Sequence, residues 1–389
     1  MRLTNTWRTL AIALTLVTAT VLSSCQKNNS YGRRTAGSPG KRSATTGASF
    51  SFKGDDSTQF FVARKAEQIP GPNLKLIQGG RAILGSQEED VMAFRDNIER
   101  TVSISTFWMD ETEMTNNDYK EFLFDMKKRI SKDSLDKLEP SEKVWRGAMS
   151  FNDVYESYYF RFPGFNFYPV AGVSWSQADA YAKWRTEYAQ KVVINDRKMD
   201  TTLTRSQLIE LGVVIAEFRL PNEAEWEYAA KAMIGTQYLD ENQEYGRIYP
   251  WDGPSMRQPF GRTRGQMLAN YKRGRGDYSG LAGRSNDGAM ITAEVYAYPA
   301  NDFGLYNMAG NVAEWCEDAY ADNSVALTWD LNTVNKDADE PRKVTRGGSW
   351  KDIAYYLETG TRAYELQNKK RSYIGFRCSM RYLGRPNMK

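Results

Sequence analysis

The sequence GLYNMAGNVAEW, from Gly304 to Trp315, constrains the fold of this chain more than any other stretch. It combines glycines and asparagines, which tolerate left-handed backbone angles and leave carbonyl groups accessible, with the carboxylate of Glu314. A hard cation such as calcium prefers this mixture of carbonyl, amide and carboxylate oxygens. The stretch therefore predicts a turn that binds an ion, although a tight turn that leads into a buried Trp315 explains the same residues.

The first 25 residues have the pattern of a bacterial lipoprotein signal peptide. Arg2 and Arg8 are followed by the apolar run LAIALTLVTATVL and then by small residues that precede Cys25. That run is too short to span a bilayer as a helix. We therefore predict that residues 1–24 are removed and that Cys25 is lipidated, so that the mature chain is anchored to a membrane without spanning it. An ordinary secretory signal with an incidental cysteine is the alternative.

Residues 25–66 are expected to be the lipidated cysteine and a flexible tether, because they are rich in Gly, Ser, Thr and basic residues and offer little to bury. Gln26 stands where an aspartate would favour retention in an inner membrane, and no acidic cluster follows it. By the sorting rules of bacterial lipoproteins, the expected location is the periplasmic face of the outer membrane. Residues 67–385 are then expected to form the ordered domain.

The composition excludes several classes of function. The chain has no histidine, which removes the usual general base and the commonest transition-metal ligand. Its net charge of +4 is too small to indicate a nucleic-acid partner. After Cys25 only Cys316 and Cys378 remain, and in an oxidising compartment they either form a disulfide or stay free.

Hydrophobic periodicity and capping residues predict helices in the first half of the domain and short strands throughout. Two strands are expected in LKLIQGGRAILGS and another within residues 101–115. Downstream of Gly235 the sequence indicates mostly turns and short strands, so metal ions or dense side-chain hydrogen bonding must satisfy the loops. Three helices are expected, each after a polar N-cap: residues 116–128 after Thr115, residues 177–188 after Ser176, and a helix from Asn222 to about Met233.

An ordered series of motifs resembles the formylglycine-generating-enzyme, or sulfatase-modifying factor, family. The likeness extends over about residues 70–382. It implies an α+β fold with much irregular structure, the formylglycine-generating-enzyme fold, which is a C-type-lectin-like variant. The motifs are LIQGGRAILGS, FWMDETEMTNNDY, YPVAGVSW, FRLPNEAEWEYAAKA, YPWDG, ANY, GLYNMAGNVAEW, RGGSW and GFRC.

The same resemblance bears on activity. Enzymes of the family oxidise a substrate cysteine with two cysteines of their own, which bind copper and lie shortly after a GGS motif. Here the segment reads GGSWKDIAYYLETGTR, with Asp352 and Leu357 at those positions, so no thiolate is available there for copper. Related iron-dependent sulfoxide synthases use histidine ligands, which this chain lacks. The resemblance therefore implies a member that is not an enzyme and binds no copper.

Within the family, the chain resembles the gliding-motility lipoproteins of Bacteroidetes, the group that includes GldJ, GldK and PorK. MDETEMTNNDY, YYFRFPGFNFYPVAGVSW, RGQMLANYKRGRGDYSGLAG and RGGSWKDIAYYL carry this likeness, together with the signal at Cys25. It implies a structural or interaction role in the type IX secretion and gliding-motility machinery. The expected partners are other lipoproteins and ring components of the GldK/PorK and GldN/PorN type.

The resemblance also implies one or two structural calcium ions. The first site would use side-chain oxygens of Asn307 and Glu314 and the backbone carbonyls of Gly310 and Val312. For each site, a loop held by internal hydrogen bonds alone is the alternative. The second site would use residues on both sides of a Gly-rich segment: Asn270, Tyr271, Asp287 and Ala289.

A different class of function remains as the alternative to a scaffold. An enzyme or ligand-binding module could reuse the groove of the family for a peptide or a glycan, with Cys316 or Cys378 as a reactive thiol. The carboxylates of DETE and EAEWE are expected to face helix N-termini instead of acting as an acid/base pair. Arg346 and Arg377 are expected to tie loops together through buried ion pairs or contacts with carbonyl groups, and not to bind a ligand.

Overall fold

The computed structural model describes residues 46–51, 60–61, 68–86, 94, 96–146, 153–234, 246–273, 289–322 and 334–384. The chain divides into two compact units. The smaller comprises residues 1–68, 202–214 and 385–389, and the larger comprises residues 69–201 and 215–384. The predicted signal peptide and Cys25 lie outside the described residues. Across the described ranges, no helix combines the length and apolar character needed to cross a bilayer.

Short strands alternate with helices in the described chain. The strands are β1 (Phe50–Ser51), β2 (Phe60–Phe61), β3 (Leu74–Ile77), β4 (Gly80–Leu84), β5 (Arg100–Ile104), β6 (Phe107–Asp110), β7 (Phe218–Arg219), β8 (Ala313–Ala319), β9 (Arg342–Arg346), β10 (Ala363–Leu366), β11 (Ile374–Gly375) and β12 (Ser379–Arg381). The helices are α1 (Asn116–Met126), α2 (Lys132–Leu138), α3 (Asp153–Tyr158), α4 (Trp175–Asp196), α5 (Arg205–Glu210) and α6 (Glu223–Lys231). Single 3₁₀ turns occupy Glu142–Trp145, Pro163–Phe165 and Ala354–Leu357.

The smaller unit contains little regular structure among its described residues. Strands β1 and β2 form a parallel pair within the segment expected to be a tether. Helix α5 begins at a capping box in which Thr204 and Gln207 satisfy each other's backbone amides.

In the described part of the larger unit there are two four-stranded sheets and one two-stranded sheet. One four-stranded sheet has the order β10-β9-β8-β11, with β11 parallel to β8 and the other pairs antiparallel. The other is antiparallel, with the order β3-β6-β12-β7. Strands β4 and β5 form a separate antiparallel pair. The sheets therefore join segments that are far apart in sequence.

The predicted strands in LKLIQGGRAILGS are present, and they belong to different sheets. Strand β3 pairs with β6, whereas β4 pairs with β5. Between them the backbone passes very close to the end of β5, because a Cβ added at Gly79 would lie 2.2 Å from the carbonyl oxygen of Ile104. A side chain at this position would block that approach.

The first and third predicted helices are confirmed, and the predicted start of the second is wrong. Helix α1 begins after Thr115 and α6 begins after Asn222, each with a complete capping box. Helix α4 begins two residues earlier than expected, with Ser174 as its N-cap. The side chain of Gln177 accepts from the Ser174 amide and also donates to the carbonyls of Lys137 and Glu139 at the C-terminal end of α2, so the tertiary contacts select the earlier cap.

One part of the core lies between α1, α4 and the strands that end the domain. Tyr119 and Phe122 of α1 face Tyr181 and Trp184 of α4. The Tyr119 and Tyr181 rings are stacked with centroids 5.7 Å apart, and Phe376 meets Tyr181 edge to face at 5.3 Å. Such aromatic packing stabilises the fold beyond the effect of the area it buries.

A second part of the core lies under α6. The buried face of this helix carries Trp226, Ala229 and Ala230, as its helical periodicity predicts. These side chains pack with Ile77 of β3 and Val344 of β9. Helix α6 therefore places the indole of Trp226 beside the turn that precedes β8.

Candidate functional site

The stretch Gly304–Trp315 forms the expected turn and leads into β8. Asn307, Gly310 and Asn311 have positive φ angles of 53°, 77° and 63°. Glycine and asparagine tolerate this left-handed region better than other residues. At Gly310 there is also no room for a side chain, because an added Cβ would lie 2.3 Å from the carbonyl oxygen of Asn270. The turn buries the side chains of both asparagines.

The two asparagine side chains converge on Glu113, which lies between β6 and α1. Nδ2 of Asn307 and Nδ2 of Asn311 donate to the same oxygen of Glu113, at 2.7 Å and 2.9 Å. The amide of Val312 donates to its other oxygen at 3.3 Å. Burial, and next the nearby carboxylate of Glu314, raise the pKa of Glu113 to about 8. The sequence predicted that this carboxylate faces a helix N-terminus and did not predict its place beside the turn.

Glu314 forms a fully buried ion pair with Arg377. Nη2 and Nε of Arg377 donate to the two carboxylate oxygens of Glu314 at 2.6 Å and 2.7 Å. Trp226 Nε1 donates to one of these oxygens at 2.8 Å, so both oxygens of Glu314 are already hydrogen-bonded. Arg377 also donates to the carbonyl of Tyr306 at 2.7 Å. The predicted role of Arg377 in tying loops together is confirmed.

The donor set of this turn fits a hard cation. Asn307 Oδ1 is buried and has no hydrogen-bond partner among the described residues. An unpaired buried oxygen is costly, and a cation that also met the neighbouring carbonyls of Gly310 and Val312 would satisfy it. When Glu113 is ionised, the cluster holds two carboxylates against the single guanidinium of Arg377, so a cation would also balance the charge. No group of three or more Asp, Glu or Cys side chains with metal-site spacing occurs in the part of the chain described.

The second predicted calcium site is only partly described. Asp287 lies outside the described residues, whereas Tyr271 and Ala289 lie close to the ends of that gap. Asn270 is buried, and its Nδ2 donates to the carbonyl of Ile291 at 2.7 Å and to Asn311 Oδ1 at 3.3 Å. Asn270 therefore connects the second predicted site to the turn of the first.

The segment after the GGS motif contains no thiol. The hydroxyl of Ser349 donates to the carboxylate of Asp352 at 2.6 Å, which closes a local turn. Leu357 is fully buried, in an apolar cluster with Tyr249, Ala269 and Ala309. At the two positions where the resemblance expects copper-binding cysteines, the structure therefore has a hydrogen-bonded carboxylate and a packed apolar side chain.

The two cysteines of the domain are free thiols without exposed surface. Cys316 and Cys378 are both fully buried, and the structure contains no disulfide between them. Burial raises the pKa of Cys316 well above its usual range and that of Cys378 to about 12. Because the thiolate is the reactive form, neither residue is suited to act as a nucleophile.

A second buried network joins α6 to the start of the GGS segment. Arg346 forms an ion pair with Glu227 and donates to the carbonyls of Gly360 and Thr361 at 3.0 Å and 2.7 Å. Against the effect of burial, the charges of Arg346 and Lys231 lower the pKa of Glu227 to about 2. The predicted structural role of Arg346 is therefore confirmed.

The carboxylates of the two acidic motifs have different roles. Glu223 and Glu225 lie in the first turn of α6, as expected. Asp110 and Glu113 precede α1, so the expectation that they face a helix N-terminus is wrong. Asp110 instead accepts two hydrogen bonds from Arg185, at 2.7 Å and 2.8 Å. The partner of Asp110 therefore comes from a distant segment, whereas Glu225 accepts from the nearby Arg219.

Comparisons with known proteins extend over most of the chain. Residues 59–382 match the family described as "Sulfatase-modifying factor enzyme 1-like domain". The formylglycine-generating enzyme of Mus musculus is 27% identical, over 79% of this chain and 74% of that protein. The inactive C-alpha-formylglycine-generating enzyme 2 of Bos taurus is 26% identical, over 79% of this chain and 87% of that protein. Relatives thus include a named enzyme and a protein named as inactive.

A solved structure supports the architecture. PvdO from Pseudomonas aeruginosa superposes with a TM-score of 0.55 and 16% identity, over 82% of this chain and 100% of that one. At this identity the likeness bears on the fold alone. Together with the family match, it confirms the predicted α+β fold with much irregular structure.

Proposed function

The chain belongs to the sulfatase-modifying factor, or formylglycine-generating-enzyme, family, and within that family we propose that it is a non-catalytic member. Its role would be structural: a lipid-anchored interaction component of a type IX secretion and gliding-motility machinery. The domain would supply a rigid surface for other proteins, and Cys25 would hold it at the periplasmic face of the outer membrane.

The residues that follow the GGS motif carry the proposal that the domain is not an enzyme. Asp352 and Leu357 occupy the positions that the resemblance assigns to the copper-binding cysteines. Leu357 is fully buried in an apolar cluster, and the Asp352 carboxylate is held by the Ser349 hydroxyl. Soft thiolate ligands are what copper(I) prefers, and neither side chain offers one. The burial of Cys316 and Cys378 also disfavours the alternative in which one of them is recruited as a reactive thiol.

The cellular setting rests on the N-terminal signal and on the motifs shared with gliding-motility lipoproteins. GldK/PorK and GldN/PorN type components remain the partners that this likeness implies. The many buried ion pairs and stacked aromatic rings of the larger unit are consistent with a scaffold, because they hold irregular segments in fixed positions.

We further propose that calcium has a structural role at the Gly304–Trp315 turn. Asn307 and Glu314 would hold it with side-chain oxygens, and Gly310 and Val312 with backbone carbonyls. Bound calcium would satisfy the buried oxygen of Asn307 and balance the second carboxylate charge when Glu113 is ionised. The role requires no chemistry at the ion.

Catalysis can be tested with the purified full-length lipoprotein in detergent. The protein is loaded with copper and incubated with a cysteine-containing peptide, and mass spectrometry follows conversion of the thiol to an aldehyde. The mouse formylglycine-generating enzyme serves as the positive control. We expect no conversion, and conversion by this chain above the copper-only background would refute the non-catalytic assignment.

The cellular role can be tested by crosslinking tagged protein in outer membranes and identifying its partners by mass spectrometry. A Cys25→Ala variant, which lacks the anchor, is the control. We expect ring or motor components of the secretion machinery to be recovered with the wild type and lost with the variant. Recovery of none, from membranes that contain those components, would count against the scaffold role.

A further inference from the structure

We propose that a cleft on the larger unit, here named the basic groove, binds an acidic segment of another polypeptide. The basic groove has a volume of about 580 Å³ and is formed by three chain segments, around residues 141–146, 350–351 and 370–373. It differs from the calcium-type turn and from the buried ion-pair networks because it is open to solvent. The inference goes beyond the proposed function, because it names the surface and the chemistry of what binds there.

The lining of the basic groove carries an excess of positive charge. Among the described residues that line the basic groove there are five cationic side chains and no carboxylate. Arg146 and Arg371 form ion pairs with carboxylates that do not line the groove, and Lys370 donates to a backbone carbonyl. Roughly three of the five positive charges are therefore not compensated by an ion pair. Lys143 and Lys351 are exposed, and neither has an ion pair with a described residue. The five cations are Lys143, Arg146, Lys351, Lys370 and Arg371.

Aromatic side chains also line the basic groove. The rings of Trp145 and Trp350 lie nearly parallel, with centroids 6.4 Å apart and an interplanar angle of 18°. The Lys351 ammonium lies 4.5 Å from the centroid of the Tyr373 ring, which positions this cation at the edge of the groove. Aromatic surface next to cations favours a ligand that carries both apolar and acidic side chains.

The groove is also preformed. The amide of Ser141 donates to the carbonyl of Gly172, and the amide of Gly172 donates to the carbonyl of Arg371, each at 2.9 Å. Gly172 therefore ties two of the three lining segments together. Trp350 Nε1 donates to the carbonyl of Ser372 at 3.3 Å and joins the third. A ligand would bind without first paying the entropy of ordering these walls.

The distribution of the cations favours a peptide over a single phosphate or lipid headgroup. A compact anion is held by donors that converge on one point, often with a bidentate arginine. Here Arg146 and Arg371 already pair with Glu156 and Glu365. The three lysines that have no ion pair with a described residue, Lys143, Lys351 and Lys370, stand on three different segments. An extended chain with spaced carboxylates can meet the exposed Lys143 and Lys351 and place an apolar side chain on the half-buried Trp350, whereas Trp145 is buried beneath it.

The test uses the full-length lipoprotein in detergent and a fluorescein-labelled peptide in which glutamates alternate with leucines. Fluorescence anisotropy measures its affinity for the wild type and for Lys143→Gln/Lys351→Gln. The matched control is Lys132→Gln/Lys191→Gln, which removes the same charge from two exposed lysines outside the groove. Thermal unfolding checks that each variant is folded. We expect roughly tenfold weaker binding to the groove variant, little change in the control, and weaker binding at high salt.

Three results would overturn the inference. If the groove variant and the control lose the same affinity for the peptide, binding depends on the net charge of the protein and not on the groove. A peptide with glutamine in place of glutamate that bound as tightly would exclude charge recognition. Binding of phosphatidylglycerol vesicles that depends on Lys143 and Lys351, with no peptide binding, would assign the groove to lipid headgroups. The measurement needs no secretion machinery, so its failure is distinct from failure of the crosslinking test.

Discussion

At the scale of single residues, the buried carboxylates of this protein differ in what surrounds them. Glu227 has Arg346 as an ion-pair partner, and its pKa is lowered to about 2 despite burial. Glu113 accepts hydrogen bonds from neutral amides and lies near Glu314, and its pKa is raised to about 8 by burial and by that neighbour. For these two acids, the presence of a cationic partner at contact distance accounts for the opposite directions of the pKa shifts.

Asp318 predicts a dependence of stability on pH. Burial, and next the charge of Glu223, raise its pKa from 3.8 to about 7. The folded state therefore keeps a proton that the unfolded state releases, so this contribution to stability is present below pH 3.8 and is lost as the pH rises through about 7. We expect the free energy of unfolding of the wild type, measured with urea, to fall between acidic and neutral pH relative to that of Asp318→Asn. The fall should be about 1.4 kcal/mol for each unit by which the pKa of Asp318 differs between the folded and unfolded states. Parallel profiles of the two proteins would contradict this expectation.

Alanine substitutions at Gly310 and Gly253 can distinguish the cost of a left-handed backbone angle from the cost of a steric clash. Both have positive φ angles, 77° and 80°, but an added Cβ would meet the Asn270 carbonyl only at Gly310 and would meet nothing within 4 Å at Gly253. Gly253→Ala should cost about 1 kcal/mol of unfolding free energy, from the left-handed angle alone. Gly310→Ala should cost roughly 2 kcal/mol more, because the turn must also shift. If chemical denaturation shows that both variants lose the same free energy of unfolding, the close contact at Gly310 contributes nothing to the loss.

At the scale of elements, helix starts depend on local side-chain hydrogen bonds. Helices α1, α4 and α6 begin at capping boxes, and each box satisfies amides that would otherwise lack partners. Helix α2 begins after Ser131, whose side chain makes no such bond. Asn222 and Ser131 are therefore a matched pair of N-cap positions, one with the side-chain hydrogen bond and one without it.

Removing an N-cap should destabilise the domain only where the cap is made. The side chain of Asn222 accepts from the amide of Glu225 at 2.7 Å, so Asn222→Ala should cost about 1 kcal/mol of unfolding free energy. Ser131→Ala, at a helix without that bond, should change it by less than about 0.5 kcal/mol. The two values follow from urea titrations monitored by circular dichroism. A loss at Ser131 as large as that at Asn222 would disprove the assignment.

At the scale of the whole molecule, buried polar contacts fix long irregular segments. Arg377 links β6, the Gly304–Trp315 turn and β8, through Asp110, Tyr306 and Glu314. Arg346 links α6 to the residues that precede β10. Irregular backbone can be buried only when its polar groups find partners, and these two arginines supply many of them.

Calcium should stabilise the whole domain if it occupies the turn. At a free concentration about 100 times its dissociation constant, one ion would add about 2.7 kcal/mol to the free energy of unfolding, so EDTA should lower the melting temperature. Asn307→Ala should remove the part of this response that belongs to the turn.

Asn301→Ala is the control for destabilisation near the same turn. Its side chain bonds the carbonyl of Ala229 and the amides of Phe303 and Leu305, and it is not in either predicted calcium set. This variant should be less stable but should keep the full response to calcium. If EDTA leaves the melting temperature of the wild type unchanged, the turn is held by hydrogen bonds alone.

Features that depend on neighbouring residues can be predicted from the amino-acid sequence alone. The caps at Thr115 and Asn222, the buried face of α6, and the turn with left-handed Asn307 and Asn311 all follow from residues within a few positions of one another. The ordered motifs also determined the family, because they extend over most of the chain.

Contacts between distant groups depend on the packing of the whole chain and could not be predicted from local sequence. Glu113 faces Asn307 and Asn311 because β6 and the turn lie side by side, and nothing in the local sequence specifies that neighbour. The separation of β3 from β4 and the earlier start of α4 have the same cause, since contacts with remote segments compete with local preference. The basic groove likewise joins segments remote in sequence. Periodicity and capping report on local hydrogen bonds, whereas the arrangement of a site depends on how the whole chain packs.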